Sequence, residues 1–379
     1  QTQLSKKPFL KSPDLVEKNR ILEIDPATRR SLEITRTLSG EKKGSLLNVI
    51  DKTNTAIGAR LLASRIASPS AIKSEILERL DIASWFLSQT TIKTEILSLL
   101  KGLPDFERSL TRLSLGRGGP RDLFAFAMAI KKTEQISELI SKTVEPPSST
   151  TLKNISKIVS KPHALSMKIK DAMTDDLPLF TRDGNFIRSG FDIKLDSLRK
   201  LSEESKRHIA LLQQKYSKET GVSSLKLKFN NVLGYHIEVR SIHANKLMSE
   251  DKFIHRQTTA QATRFTTTAL AELERELTTA ADRALEIEVL LFNKMVEEVL
   301  ECQIDITHCA SAIAQIDVAV ATALLAEQNN YVRPEITDKT QFMIEGGRHP
   351  VVETKLDSDT MFMENDCNLS QRQKIWLVT

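Results

Sequence analysis

From Leu270 to Met295 the residues Leu270, Leu273, Leu277, Ala280, Ala284, Ile287, Leu291 and Met295 recur in steps of three and four. A stripe with that period stays on one side of a helix along its whole length, so the segment must lie against a partner of similar length. Upstream, Leu198, Leu201, Ser205, Ile209, Leu212 and Tyr216 mark one face at the same spacing between about Phe191 and Thr220. About thirty helical residues rise on the order of 45 Å, and a second helix returning along the first makes an antiparallel arm. Glu272, Glu274, Arg275, Glu276, Arg283, Glu286 and Glu288 fall beside the returning stripe and read as its solvated face.

Between the two helices the period changes to two. Leu225, Leu227 and Phe229 alternate with Lys226 and Lys228, and after an Asn230-Asn231 turn Tyr235, Ile237 and Val239 alternate with His236, Glu238 and Arg240. This is a hairpin with one dry and one mostly basic face, carried at the tip of the arm. Arg256, Gln257, Thr258, Gln261 and Arg264 follow as further cations and polar donors. A basic sheet held out on an arm points to a polyanion, although an ordinary charged sheet face would use the same residue types. The formal charge of +5 is only a mild bias in that direction. Three cysteines, Cys302, Cys309 and Cys367, are too few and too scattered for a disulfide framework and fit a reducing compartment. No run of about 18 apolar residues is found to span a bilayer.

Residues 1–20 are polar and basic and read as a connector, and Gln1 in place of Met suggests that the true N-terminus is missing or processed. Asp25 and Pro26 supply an N-cap and a first helical position, with Leu32, Thr35 and Leu38 continuing that helix to Gly40. Small residues within Ala56 to Leu62 allow close helix approach, and amphipathic segments follow at Ile72 to Leu80, Ile82 to Leu87, Ile92 to Leu100 and Leu123 to Ile140. Gly116 to Pro120 reads as an interhelical turn, because no strand precedes it and no Gly-Lys-Ser/Thr ending makes it a phosphate loop. Pro146 and Pro147 open a surface loop. Another helix spans Ile304 to Glu327, and Cys302, His308 and Cys309 lack zinc-site spacing. Past Pro334, Phe342 to Ile344, Val351-Val352, Met361 to Met363 and Ile375 to Val378 read as strands of a second, mixed domain that continues beyond Thr379. His349, before Pro350, has no partner nearby in sequence and reads as structural.

Five blocks in register resemble the MutS family of DNA mismatch-repair proteins. They are Ile24 to Ile34 with Ser45 to Thr53 and Gly58; Gly234 to Glu238; Arg256-Gln257-Thr258; Glu345 to Glu353; and Phe362 to Leu369. The resemblance covers nearly the whole chain and implies a mainly α fold, in which a helical core extends two antiparallel lever helices that carry a small β clamp, followed by the first strands of an α/β ABC-type ATPase domain. On that pattern residues 1–20 are a connector remnant, 21–205 core and first lever helix, 206–267 the clamp, 268–333 the return lever and core, and 334–379 the start of the ATPase domain.

It further implies an ATP-dependent mismatch-repair protein that encloses double-stranded DNA as a dimer with a second MutS-type subunit, works with downstream repair factors and has no membrane partner. Lys226, Lys228, Arg240, Arg256, Gln257, Thr258, Gln261 and Arg264 would contact the DNA backbone, and Phe362 with Met363 would pack on the adenine of ATP. The ligands for its phosphates and Mg2+ fall outside this chain, and no catalytic residue falls within it. Bacterial members often carry Lys and then Asn where this chain has Ala260 and Gln261. The short clamp and basic composition lean towards a mitochondrial homolog inside the cell, with a nuclear or bacterial protein as the alternatives. The alternatives are a MutS-like recombination or structural protein that encircles branched DNA without reading mismatches, and a helical scaffold that binds only proteins.

Overall fold

The computed structural model describes residues 20–143, 149–230, 232–356, 362–370 and 373–375. Its elements, in order, are α1 (Pro26–Ser31), α2 (Leu46–Ile50), α3 (Ala56–Ala67), α4 (Lys73–Ser88), α5 (Thr90–Leu100), α6 (Phe106–Ser114), α7 (Pro120–Ser141), α8 (Thr150–Ala172), α9 (Ile193–Thr220), β1 (Lys226–Asn230), β2 (Gly234–Arg240), α10 (Ala244–Met248), β3 (Ile254–Thr258), β4 (Ala262–Thr266), α11 (Thr268–Glu301), α12 (Gln303–Asn329), β5 (Phe342–Gly347), α13 (Pro350–Glu353) and β6 (Asn365–Leu369). The fold is mainly α with two small antiparallel sheets. The chain divides into two compact units, one of them Asp171–Val296 and the other built from the stretches on either side.

The outer stretches form a helical unit centred on α12. Ile306, Ala310, Ile313, Val320 and Ala323 are buried, and α3, α4, α5, α6 and α7 all pack on this helix. By length and composition α12 could cross a membrane, which corrects the sequence reading that no such run exists. Here it is the centre of a core. Asp317, fully buried on α12, accepts from Asn54 N at 2.9 Å, Thr55 N at 2.8 Å and Thr55 Oγ1 at 2.6 Å. Thr55 in turn caps α3 through Gly58 N at 2.9 Å. A Cβ at Gly58 would come within 2.2 Å of the Asp317 carboxylate, so the small residue expected for close helix approach is required here. Burial pushes the Asp317 carboxyl up from its usual value, against the pull of its hydrogen bonds.

Several expectations for this unit change. Asp25 does cap α1, with Pro26 at its first position, but the helix ends at Ser31 and Glu33 turns the chain at φ 48°. Leu32 and Leu38 lie exposed because no helix continues to hold them against the core. Gly116 to Pro120 is a turn between α6 and α7, with Gly119 N donating to Asp122 Oδ2 at 3.1 Å. Helix α8, which the periodicity did not flag, runs through Pro162. Val351 and Val352 belong to helix α13, not a strand, because Pro350 starts a helical turn and His349 Nδ1 accepts from Val352 N at 3.3 Å. The strand placed at Met361 to Met363 is instead Asn365–Leu369, paired with β5. Ile375 is irregular. The readings at residues 1–19, Pro146, Pro147, Asn231, Met361 and 376–379 lie outside the described residues.

The other unit is the arm and its sheet. Asp192 caps α9 by accepting from Leu195 N at 2.9 Å, and Gly221 ends it in the left-handed region at φ 64°. The expected stripes are largely buried, with two displacements. Leu201 is 43% exposed, and on α11 burial passes from Ile287 and Leu291, both half-buried, to Glu288 at 3% and Phe292 at 5%. A straight α-helix drifts by roughly 20° per heptad against a 3.5-residue stripe, which is enough to rotate Glu288 inward. Its carboxylate is therefore not on a solvated face. It accepts from Arg199 Nη2 at 2.5 Å and Phe186 N at 3.2 Å, tying α9 and the segment before it to α11.

The sheet has four antiparallel strands in the order β1-β2-β4-β3. Its dry face packs Leu225, Ile237, Val239 and Phe265 against Ile209 and Tyr216 of α9, Leu247 of α10 and Leu270 of α11. Tyr216 Oη and Thr267 Oγ1 share a hydrogen bond of 2.8 Å, and Thr267 caps α11 by accepting from Leu270 N at 3.1 Å. The sheet is thus fixed directly to both helices.

Candidate nucleic-acid interface

Strand register decides which side chains share the open face. Lys226 lies opposite Glu238, Glu238 opposite Arg264, and Arg264 opposite Gln257, so one polar row crosses all four strands. Lys228 Nζ lies 2.7 Å from Glu238 Oε1, Arg264 Nε donates to Glu238 Oε2 at 3.2 Å, and Arg264 Nη1 donates to Gln257 Oε1 at 2.8 Å. The hydrogen bond from Lys228, and then that from Arg264, hold the Glu238 carboxyl below its usual value. Lys228 and Arg264 therefore share one carboxylate within the sheet, which balances one of their two charges.

Lys226, Arg240 and Arg256 are exposed and make no ion pair or side-chain hydrogen bond among the described residues. Arg240, two residues from Glu238 on β2, shares its face. Arg256 stands at an irregularity in the β3–β4 register between His255 and Gln257. Thr258 is exposed with its hydroxyl 2.8 Å from His255 Nε2, and Gln261 is exposed in the turn before β4. His236, expected on the basic face, is 2% exposed, with Nδ1 3.0 Å from the Gly234 carbonyl oxygen. Spacing alone did not show what two carboxylates bind. Glu238 alternates with the cations and joins them, and Glu274 of α11 accepts from Tyr235 N at 2.9 Å, pinning the β1–β2 turn to the helix.

In the other unit, Phe362 is half-buried and lines an open cleft of about 1300 Å³ together with Tyr331, Gly346, Arg348 and Asp366. The Arg348 guanidinium lies 5.5 Å from the Tyr331 ring centroid and is held by Glu353 Oε1 at 2.7 Å. Met363, expected beside Phe362, is 84% exposed and does not line the cleft. Among the described residues no group of His, Cys, Asp and Glu could hold a metal ion.

The family model for MutS domain III matches residues 27–323, from α1 through most of α12, including the sheet and both arm helices. The chain belongs to the MutS family. Two relatives, both named DNA mismatch repair protein MutS, come from Rhodopseudomonas palustris. That of strain BisB18 is 43% identical over 100% of this chain and 43% of its own length, and that of strain BisB5 is 42% identical over 98% and 40%. The chain spans about two fifths of the length of these MutS relatives. Both are bacterial, and they lend the mitochondrial expectation no support. Tyr331, Arg348 and Phe362 lie beyond the domain III match, within the region that the whole-length relatives cover.

Proposed function

We propose that the four-stranded sheet is a clamp that holds double-stranded DNA by its phosphates, in a mismatch-repair protein whose ATP state controls the clamp through the arm helices. One observation carries this reading: Lys226, Arg240 and Arg256, unpaired among the described residues, stand on a small sheet fixed to two long helices in a MutS chain. Contacts to phosphate position a protein without reading sequence, so the clamp would grip matched and mismatched duplex alike. A second MutS-type subunit would complete the enclosure, and downstream repair factors would read the closed state. Residues 206–267 would be the clamp, and 334–379 the start of the ATPase domain. The relatives' printed names favour mismatch repair over the handling of branched DNA.

The cleft at Phe362 suits the flat base of ATP, since it combines a half-buried aromatic ring with Tyr331 and the Arg348 guanidinium. These residues would hold the base only. We assign the phosphates and Mg2+ to none of the described residues. When bound, the Mg2+ nucleotide would supply the hydrolysable phosphate bond.

Two measurements on the full-length protein test the reading. Replacing Lys226, Arg240 and Arg256 together with Gln should weaken matched and mismatched duplex by the same factor in fluorescence anisotropy, leaving discrimination intact. Selective loss of mismatch binding would mean that the sheet reads what it is proposed only to hold. Phe362→Ala should weaken ATP binding by about 1–3 kcal/mol through lost stacking, and unchanged affinity would place the base elsewhere.

A further inference from the structure

Glu238 stands where the open face of the sheet would otherwise be most positive. Its carboxylate is 17% exposed and bridges an ammonium from β1 and a guanidinium from β4, while Gln257 of β3 occupies a second nitrogen of that guanidinium. The donors around it are those that would receive a phosphate oxygen: a Lys Nζ at 2.7 Å and an Arg Nε at 3.2 Å. An incoming phosphate must displace this carboxylate and then lie beside it, a like charge with nowhere to go on a strand flanked by two others. The Lys228 and Arg264 hydrogen bonds hold the carboxyl below its usual value, so it is ionised and competes at neutral pH.

We propose that Glu238 is a built-in competitor for DNA phosphate, which occupies the donors of both Lys228 and Arg264 and confines the backbone grip of the sheet to Lys226, Arg240 and Arg256. The consequence is a deliberately weak hold. A clamp that must travel along DNA or let it go gains from limited backbone affinity, and one carboxylate removes two cations from the contact. This inference rests on the phosphate-binding reading above and refines which residues serve it.

The test is the slope of log affinity against log salt for full-length protein on a fluorescein-labelled matched duplex. With each phosphate contact contributing roughly 0.9, Glu238→Gln, which keeps the side-chain shape, should steepen the slope by up to about 1.8. Between 50 and 200 mM salt that is about a twelvefold greater loss of affinity. Adding Lys228→Gln and Arg264→Gln to that variant should restore the wild-type slope, since those two cations are what the substitution releases. A slope that stays the same or flattens in Glu238→Gln would show that the carboxylate instead orders Lys228 and Arg264 for contact, and would overturn the proposal.

A second comparison avoids changing Glu238. Lys228→Gln alone should leave the slope unaltered, whereas Lys226→Gln should flatten it by about 0.9. Equal flattening by both would also overturn the proposal. If none of these substitutions, nor the combined Lys226, Arg240 and Arg256 variant, moves the slope, it is the phosphate-binding reading that fails, and this inference falls with it.

Discussion

Asp317 in the helical unit and Glu238 on the sheet are both carboxylates that accept from two or more donors, and their surroundings push them in opposite directions. Asp317 is fully buried and takes neutral donors, the amides of Asn54 and Thr55 and a Thr55 hydroxyl, so desolvation dominates and its carboxyl is pushed up. Glu238 lies at a water-facing surface and takes cationic donors, so pairing dominates and its carboxyl is pulled down. The first arrangement fastens one helix to another. The second sets how much positive charge a surface presents. Burial and donor charge together therefore separate a carboxylate that fastens the fold from one that pairs cations at a surface.

The comparison can be broken most forcefully at Asp317. Asp317→Ala strips the acceptor from two amides and a hydroxyl at the start of α3, and should lower stability by about 2–4 kcal/mol in chemical denaturation. Gly58→Ala should act in the same direction by forcing a methyl group onto the same carboxylate. Neither should change the salt slope of DNA binding measured on the folded fraction. A slope change would show that the helical unit contributes directly to the phosphate grip.

Glu288 sharpens the comparison, being buried like Asp317 yet paired with a cation like Glu238. Glu288→Ala leaves the Arg199 guanidinium without its counter-charge and Phe186 N without its acceptor. It should cost about 2–3 kcal/mol, less than a fully buried pair because Arg199 is 23% exposed. A variant as stable as wild type would mean that the drift of the α11 stripe at this position is immaterial to the arm.

Glu238→Gln should have the smallest effect on stability, below about 1 kcal/mol, because the amide keeps an acceptor oxygen for Arg264 and the Lys228 ammonium is half exposed to water. Its pH dependence gives the sign. The Glu238 carboxyl is depressed in the folded state, so its contribution is present above the unfolded value of 4.5 and lost as pH falls through the lower folded value. The Asp317 carboxyl is raised, so its contribution is full below the unfolded value of 3.8 and lost as pH rises through the folded one. Melting wild type beside Glu238→Gln and beside Asp317→Asn between pH 3 and 6 should give differences that change with pH in opposite directions. Parallel trends would remove the distinction between the two carboxylates.

Much of the architecture was legible because periodicity records which side of an element is dry. The arm was visible in the steps from Leu270 to Met295, and the first hairpin in the alternation from Leu225 to Val239. Periodicity treats every charged residue as solvated, however, and so put Glu288 outside when helix drift turns it inward. It also could not show that Glu238 binds two of its neighbouring cations, because that depends on the pairing of β1 and β4 to either side of β2. Helix α8 contains Pro162, a residue that argues against a helix interior when only the sequence is in view. His236 is a residue type that spacing assigned to the wet face and the fold buries. The cations of the sheet were thus visible in the sequence, while their division among the described residues into paired and free needed the register.

The central claim is that Lys226, Arg240 and Arg256 hold DNA phosphate. Its most direct test is the salt dependence of duplex affinity for the full-length protein, wild type against the combined Gln substitutions of those three residues, with circular dichroism to confirm folding. Three lost contacts should flatten the slope of log affinity against log salt by about 2.7. A slope unchanged from wild type would mean that this face of the sheet does not touch the DNA backbone.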